Sequence, residues 1–315
     1  MSRSSLVVGS GGLLGRALVA ELERRGEQVE TVAVPWSDEV AAGAALRGAL
    51  EALAGSGSEE LSIWWCAGAG VTATPQHVLD AELRTLERFV ADVRAVLGPL
   101  VGRTRTLFYS SSAGGVFAGS ERPPFTERTA PAPLAPYGHA KLRAEALVAA
   151  ASADGIGVAI GRLANIYGPG QDLRKPQGLV SQLCVAHHTA KPINVYVSLD
   201  TLRDYIFVED AARLCLDLGT VVGRRGQGPA VTKIIASGRA ASIGALIADM
   251  RRLFKRRVPV VLAASPHARQ QARDLRLSSV VLPELDRRPL TTLINGIDRV
   301  NEDVGAQFRS GVLDL

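Results

Sequence analysis

Tyr137 and Lys141, in the run Pro136-Tyr137-Gly138-His139-Ala140-Lys141, place a phenol and an ammonium four residues apart. On a helix that spacing puts both on one face. A phenol is a poor base at neutral pH, but a cation held beside it stabilises the phenolate. Such a pair could take a proton from a sugar or alcohol hydroxyl. The spacing by itself arises easily by chance, and a surface helix with a partly buried ring reads the same way. The surroundings of the pair therefore carry the argument.

Near the start of the chain, the apolar run Leu6 to Val8 leads into Gly9-Ser10-Gly11-Gly12-Leu13-Leu14-Gly15 and then into a helical stretch from Arg16 to Arg25. This reads as strand, phosphate loop, helix. Glycines at 9, 12 and 15 permit a tight turn, close approach of a pyrophosphate to backbone N–H groups, and close packing of helix on strand. The helix N-terminus then faces the anion. Dinucleotide folds often carry an acid at the end of the second strand to bind the adenosine ribose. Here that strand, Val29 to Val34, is followed by Pro35-Trp36, and Ala33 or Val34 stands in the acid's place. Arg16, behind Gly15, could reach a 2′-phosphate, so both NAD and NADP stay open as cofactor.

Between and beyond these motifs, short apolar runs alternate with helical patterns: strand Leu61 to Cys66, helix Val78 to Val96, strand Thr106 to Tyr109, helix Tyr137 to Ala151, strand Val158 to Ile160. Ala41 to Ala54 reads as one alanine-rich helix. That order predicts an α/β fold, a parallel sheet covered on both faces. Ligands bind beyond the carboxyl ends of such strands. Ala67-Gly68-Ala69-Gly70 and Ser110-Ser111-Ser112 lie at two of those ends and can face one cleft, with the proline-rich loop Gly119 to Pro136 as a wall.

The 315 residues suit one large domain or two intimate ones, and 47% hydrophobic content with no apolar run near about 18 residues argues against a membrane span. The apolar stretch at the N-terminus stops at Gly9, which argues against a signal peptide. Cys66, Cys184 and Cys215 have no metal or redox spacing and read as buried thiols of a cytoplasmic protein, with no metal site. Net charge is +5, and 31 of the 36 basic residues are arginine. The densest basic patch, Arg251-Arg252 with Lys255-Arg256-Arg257, ends a helix begun by Ser242, where cations complement the helix dipole. Without interleaved aromatics it does not predict a nucleic-acid partner.

Taken together, these segments resemble the extended short-chain dehydrogenase/reductase superfamily, in particular the NAD-dependent epimerase/dehydratase family that acts on nucleotide sugars. The likeness rests on the glycine loop, on Ser110-Ser111-Ser112-Ala113-Gly114-Gly115-Val116-Phe117, and on the Tyr137 to Leu142 run. It extends through Arg162-Leu163-Ala164-Asn165-Ile166-Tyr167-Gly168-Pro169-Gly170 and Arg203 to Asp210. The resemblance implies a Rossmann-type doubly wound parallel sheet with a smaller C-terminal substrate-binding lobe. Residues 1–171, with 203–238 returning, would bind the dinucleotide, and 172–202 with 239–315 the substrate. It further implies Tyr137 as catalytic acid/base and Lys141 as its electrostatic partner and ribose ligand. Ser112, twenty-five residues before Tyr137, would bind the reacting oxygen.

Gly9, Ser10, Gly11, Gly12, Leu13, Leu14, Gly15, Arg16, Ala67, Gly68, Ala69 and Ser110 would line the cofactor together with Tyr137 and Lys141. Asn165 and Arg203 would hold the substrate diphosphate; by residue type alone Asn165 is equally a turn former and Arg203 a partner of Asp204. Arg269 and Arg273 are weaker phosphate candidates, and His187-His188 reads as a surface or cap pair. Family dehydratases place Asp-Glu where this chain has Ala113-Gly114, and epimerase-reductases a cysteine at the Gly114 position. Simple redox at one carbinol carbon remains, which points to a nucleotide-sugar 4-epimerase with a transient keto intermediate. The alternatives are an NAD(P)H-dependent nucleotide-sugar ketoreductase and a non-catalytic dinucleotide sensor. The family habit of pairing the helices after the third and fourth strands implies a homodimer.

Overall fold

A computed structural model describes residues 2–175, 177–264 and 272–311. The chain begins β1 (Arg3–Val8), α1 (Leu13–Arg24), β2 (Gln28–Val32), α2 (Glu39–Gly55), β3 (Glu60–Trp65), α3 (Gln76–Leu97) and β4 (Thr104–Ser112). There follow α4 (Ala113–Val116), α5 (Pro136–Ala149), β5 (Gly157–Leu163), β6 (Asn165–Tyr167), α6 (Leu179–Thr189), β7 (Ile193–Val195), β8 (Leu202–Phe207) and α7 (Val208–Arg225). The last part comprises β9 (Val231–Ile235), β10 (Ala240–Ser242), α8 (Ile243–Phe254), β11 (Val260–Leu262), β12 (Asp274–Leu275) and α9 (Leu293–Arg309).

Six strands pair in the order β2-β1-β3-β4-β5-β9, every pair parallel. The fold is the doubly wound α/β arrangement expected from the alternating pattern. β1, β4 and β5 are buried almost throughout because helices cover both faces. On one face Leu14, Leu18 and Leu22 of α1 and Leu214, Leu218 and Val222 of α7 pack on Val7, Trp64 and Phe108. On the other, Leu46, Leu50, Leu83, Leu86, Phe89 and Val148 from α2, α3 and α5 pack on Leu6, Val8, Ile63 and Leu107. Buried leucines at 79, 83 and 86 and Phe89, Val93 and Leu97 recur at helical spacing along α3, which fixes the face it turns to the sheet.

Helix ends follow local chemistry. Asp38 caps α2 by accepting from the Val40 and Ala41 N–H groups, Pro136 sits in the first turn of α5, and Ser242 caps α8. His187 and His188 close the last turn of α6, where His187 stacks on Phe254 and His188 on Phe308. A surface or cap role was expected of them; the ring stacking on Phe254 and Phe308 was not.

β8 lies outside the main sheet, paired with β6, β10 and β12. Around it α6, α8 and α9 enclose a separate apolar cluster that includes Tyr167, Leu183, Phe207, Leu246, Met250, Ile297 and Val304. No helix among the described residues is long and apolar enough to cross a membrane.

Glu21 ties α1 to α7. Its carboxylate accepts from Arg24 at 2.6 and 2.8 Å and from Arg25 at 3.0 Å, and Arg25 also reaches Asp217 of α7 at 3.0 Å. The Arg24 hydrogen bonds, with Arg25 adding to them against the cost of burial, hold the Glu21 carboxyl down at about 2. A carboxyl depressed in the folded state contributes stability above its unfolded value, and that stability disappears as pH falls through the folded one. Glu21→Gln is therefore expected to lower the urea midpoint at pH 7, with the deficit shrinking steadily from about pH 4.5 towards pH 2. An unchanged deficit at pH 2.5 would contradict this.

Candidate active site

The site is assembled at the carboxyl ends of β1, β3 and β4. Gly9 leaves β1 with φ of 88°, and a Cβ on it would lie 2.6 Å from the Ala67 nitrogen. Gly15 packs its α1 turn directly onto the Gly9 carbonyl, leaving no space for a Cβ. Gly12 stands at the N-cap of α1 with no side chain capping it, so the first-turn N–H groups of Leu13 and Leu14 face the Ser10 to Gly12 turn. This backbone cradle fits a dinucleotide pyrophosphate. Arg16 donates to the Gly11 and Gly170 carbonyls. Its guanidinium thus spans the loop and the segment after β6.

Tyr137 opens α5 and its ring is clasped between two glycines. A Cβ on Gly115 would lie 2.9 Å from Tyr137 Cε1, and one on Gly70 would lie 3.3 Å from Cδ2. Substitution at either glycine would push the phenol out of place. The loop after β3 is itself pinned, since Ala69 N donates to Glu82 Oε1 at 2.9 Å. Ser112, the last residue of β4, accepts from Gly115 N at 3.1 Å. Ser112 and Tyr137 therefore share the Gly114-Gly115 turn, and the two strand ends expected to face one cleft do so.

Lys141 lies one turn along α5, its Nζ 5.8 Å from the Tyr137 ring centroid. It donates to Tyr109 Oη at 3.2 Å and to the Ser110 carbonyl at 3.1 Å. Burial alone would depress the ammonium, but Tyr109, Tyr137 and Glu82 around it outweigh that and hold its pKa above the ordinary lysine value. Burial pushes the Tyr109 phenol up, only partly offset by Lys141. Tyr109 is thus a neutral acceptor at neutral pH, and it orients the ammonium without taking up its charge. Nothing in the spacing of the sequence singled out Tyr109 or Glu82; Tyr109 comes to Lys141 from β4, and Glu82 from α3 where it packs on α5.

Behind the site, Glu145, one further turn along α5, forms a buried bidentate pair with Arg162 of β5 at 3.0 and 2.7 Å and accepts from Ser111 Oγ at 2.6 Å. Three elements are locked in register by one carboxylate. Ser111 has a structural partner there, which distinguishes it from Ser112. Cys66, beside the Gly9 turn, is a thiol that burial pushes up to about 12.

Asn165 begins β6 and donates to the Asp204 carbonyl at 3.0 Å. Arg203 of β8 donates to the Leu202 carbonyl, and burial lowers its pKa against the neighbouring Tyr205 and Asp274. Asp204 accepts instead from Ser237 N and Oγ, at 2.8 and 2.9 Å. Arg203 also stands in register with Leu275, whose Cδ2 would lie 3.4 Å from a Cβ on Gly114. Asn165 and Arg203 are thereby joined to the wall that carries Ser112. Arg273 is exposed and paired with Asp200, and Arg269 lies outside the described residues.

Against known proteins, the sequence profile of the NAD dependent epimerase/dehydratase family matches residues 5–226. The chain belongs to this family. Among curated relatives, dTDP-4-dehydro-6-deoxyglucose reductase of Escherichia coli is 26% identical over 196 residues, 62% of this chain and 60% of that protein. The dTDP-L-rhamnose 4-epimerase of Burkholderia thailandensis is 32% identical over 136 residues, 42% of this chain and 35% of that protein. The matches thus span less than two thirds of these relatives. A solved structure of MoeE5 in complex with UDP-glucose and NAD superposes with a TM-score of 0.80 at 20% identity, covering 97% of this chain and 99% of that one. In this chain the glycine loop joins β1 to α1, and Tyr137 and Lys141 lie on α5.

Proposed function

We propose that the protein is an NAD-dependent nucleotide-sugar 4-epimerase. The observation that carries this reading is the clasp of Tyr137 between Gly70 and Gly115 with the Lys141 ammonium alongside and Ser112 on the same turn. The family's NAD dependence supports the cofactor, and the dTDP-sugar and UDP-sugar relatives support the substrate class.

Tyr137 takes the proton of the sugar 4-hydroxyl, and Ser112, able to donate and accept, holds the same oxygen as alcohol and as ketone. Lys141 stabilises the phenolate electrostatically and hydrogen-bonds the nicotinamide ribose. NAD, when bound, supplies a reversible hydride acceptor at that carbon. After the keto-sugar has turned, Tyr137 returns its proton to the oxygen on the new face. Gly9 to Arg16, Ala67 to Ala69 and Ser110 cradle the cofactor, while Asn165 and the half-buried Arg203 fork grip the diphosphate. Ala113, Gly114 and Gly115 bring no carboxylate or thiol to the turn beside Ser112, which disfavours dehydration and proton exchange beside the ketone.

In this reading residues 1–171 and 203–238 bind the dinucleotide, and 172–202 with 239–315 form the substrate lobe. The protein is a cytoplasmic homodimer joined through α3 and α5, an arrangement that sedimentation would test by a doubled mass. The E. coli relative favours a second reading, a ketoreductase with dissociable NAD(P)H. Anaerobic denaturation of the purified protein and mass spectrometry of the released dinucleotide separates the two. The epimerase is expected to yield stoichiometric NAD; an empty protein that binds NADPH on titration would favour the reductase.

A further inference from the structure

Trp36 holds an indole at the end of the cleft opposite the catalytic pair. In the main sheet Val8 is in register with Val32 on one side and Trp65 on the other, so the ends of β2, β1 and β3 lie abreast. β2 and β3 are two strand spacings apart, about 9–10 Å. Beyond Val32 the chain turns back across β1 and sets Trp36 edge-on against Trp65, with ring centroids 6.3 Å apart and planes at 83°. Trp65 is itself buried and packed on Phe89 at 4.9 Å, which makes it a fixed support. Trp36 remains 52% exposed. It thus keeps much of a large apolar ring in water just beyond the strand ends, beside the turn where Gly9 leaves β1.

At the acid's place stand Ala33 and Val34, and the first carboxylate after β2, Asp38, is engaged at 3.0 Å by the Val40 and Ala41 N–H groups of α2. The geometry points to Trp36 as the platform on which the adenine of the dinucleotide stacks, anchoring by its π-face the end of the cofactor nearest β2, whose end carries no acid. The inference rests on the proposed binding of NAD. Stacking on an aromatic ring needs no hydrogen-bond partner, and its strength per base is sufficient to replace one.

The ring provides its own probe. The sequence contains three tryptophans, and Trp64 and Trp65 are buried, so iodide-accessible emission reports Trp36. In the full-length protein, NAD and AMP are expected to shield that emission, whereas nicotinamide mononucleotide, which lacks adenine, is not. By calorimetry Trp36→Ala is expected to weaken NAD and AMP binding about tenfold or more, and Trp36→Phe to retain most of it. Wild-type protein that binds NAD with Trp36 still open to iodide, or Trp36→Ala protein that binds AMP as tightly as wild type, would overturn this inference alone. Wild-type protein that binds neither NAD nor AMP would overturn the cofactor reading with it.

Discussion

Tyr137→Phe is expected to lower turnover about 10²- to 10⁴-fold, the range for loss of a positioned acid/base, while leaving NAD affinity and the thermal midpoint near wild type. The phenylalanine ring keeps the packing between Gly70 and Gly115, so only the oxygen is removed. Lys141 is not left without acceptors, because Tyr109 Oη and the Ser110 carbonyl still receive two of its N–H groups. The loss belongs in kcat, since in the proposed reading Asn165 and Arg203, not Tyr137, hold the substrate diphosphate. Steady-state kinetics beside a calorimetric NAD titration would check this. Full turnover with intact cofactor binding would remove Tyr137 from the chemistry and revive the sensor reading.

Asp286→Ala is expected to cost about 1–3 kcal/mol of stability, because it removes the one carboxylate that a buried ammonium donates to. Lys233 of β9 is fully buried, and its ammonium donates at 2.7 Å each to Asp286 Oδ2, Ser279 Oγ and the Val281 carbonyl. Glu127 completes the cluster, accepting from Ser279 Oγ at 2.6 Å and from Ile234 N and Val280 N at 2.8 Å. These bonds close the exposed edge of the main sheet with residues 277–287 and with the loop before α5. Burial raises the Asp286 carboxyl even with Lys233 beside it, so the pair is held against a desolvation cost. Only the lysine of this pair is buried, and removing its ammonium together with the carboxylate removes the cost of leaving the cation without a counter-charge. The double variant Lys233→Met with Asp286→Leu is accordingly expected to be more stable than Asp286→Ala in urea unfolding. Equal midpoints for Asp286→Ala and wild type would show that the ammonium is solvated after all.

The glycine loop and the Tyr137 helix were legible because each is local: glycine spacing dictates a turn, and a four-residue spacing dictates a shared helix face. Extents were less so. The fourth strand reads from sequence as Thr106 to Tyr109, yet it continues to Ser112 because Ser110, Ser111 and Ser112 pair with Gly161, Arg162 and Leu163. That pairing carries the serines to the cleft. α1 starts at Leu13, ahead of the apolar helical pattern, since the loop feeds directly into it. Tyr109 beside Lys141, and the Lys233 cluster with contacts across 46 to 53 residues, depend on tertiary pairing that no short window contains. The small sheet around β8 was hidden for a related reason: β6, β10 and β12 have two or three residues each, too few for a period to register. Arg16 shows how little of a long side chain's position is legible: its place behind Gly15 was read from sequence, its contacts with the Gly11 and Gly170 carbonyls were not.

The most direct test of the account follows the sugar carbon itself. A UDP- or dTDP-hexose incubated with the purified protein in deuterated water, without added reductant, should convert to its C4 epimer as read by proton NMR, with no deuterium entering any carbon of the ring. Conversion only when NAD(P)H is added, or deuterium appearing beside the carbonyl carbon, would contradict it.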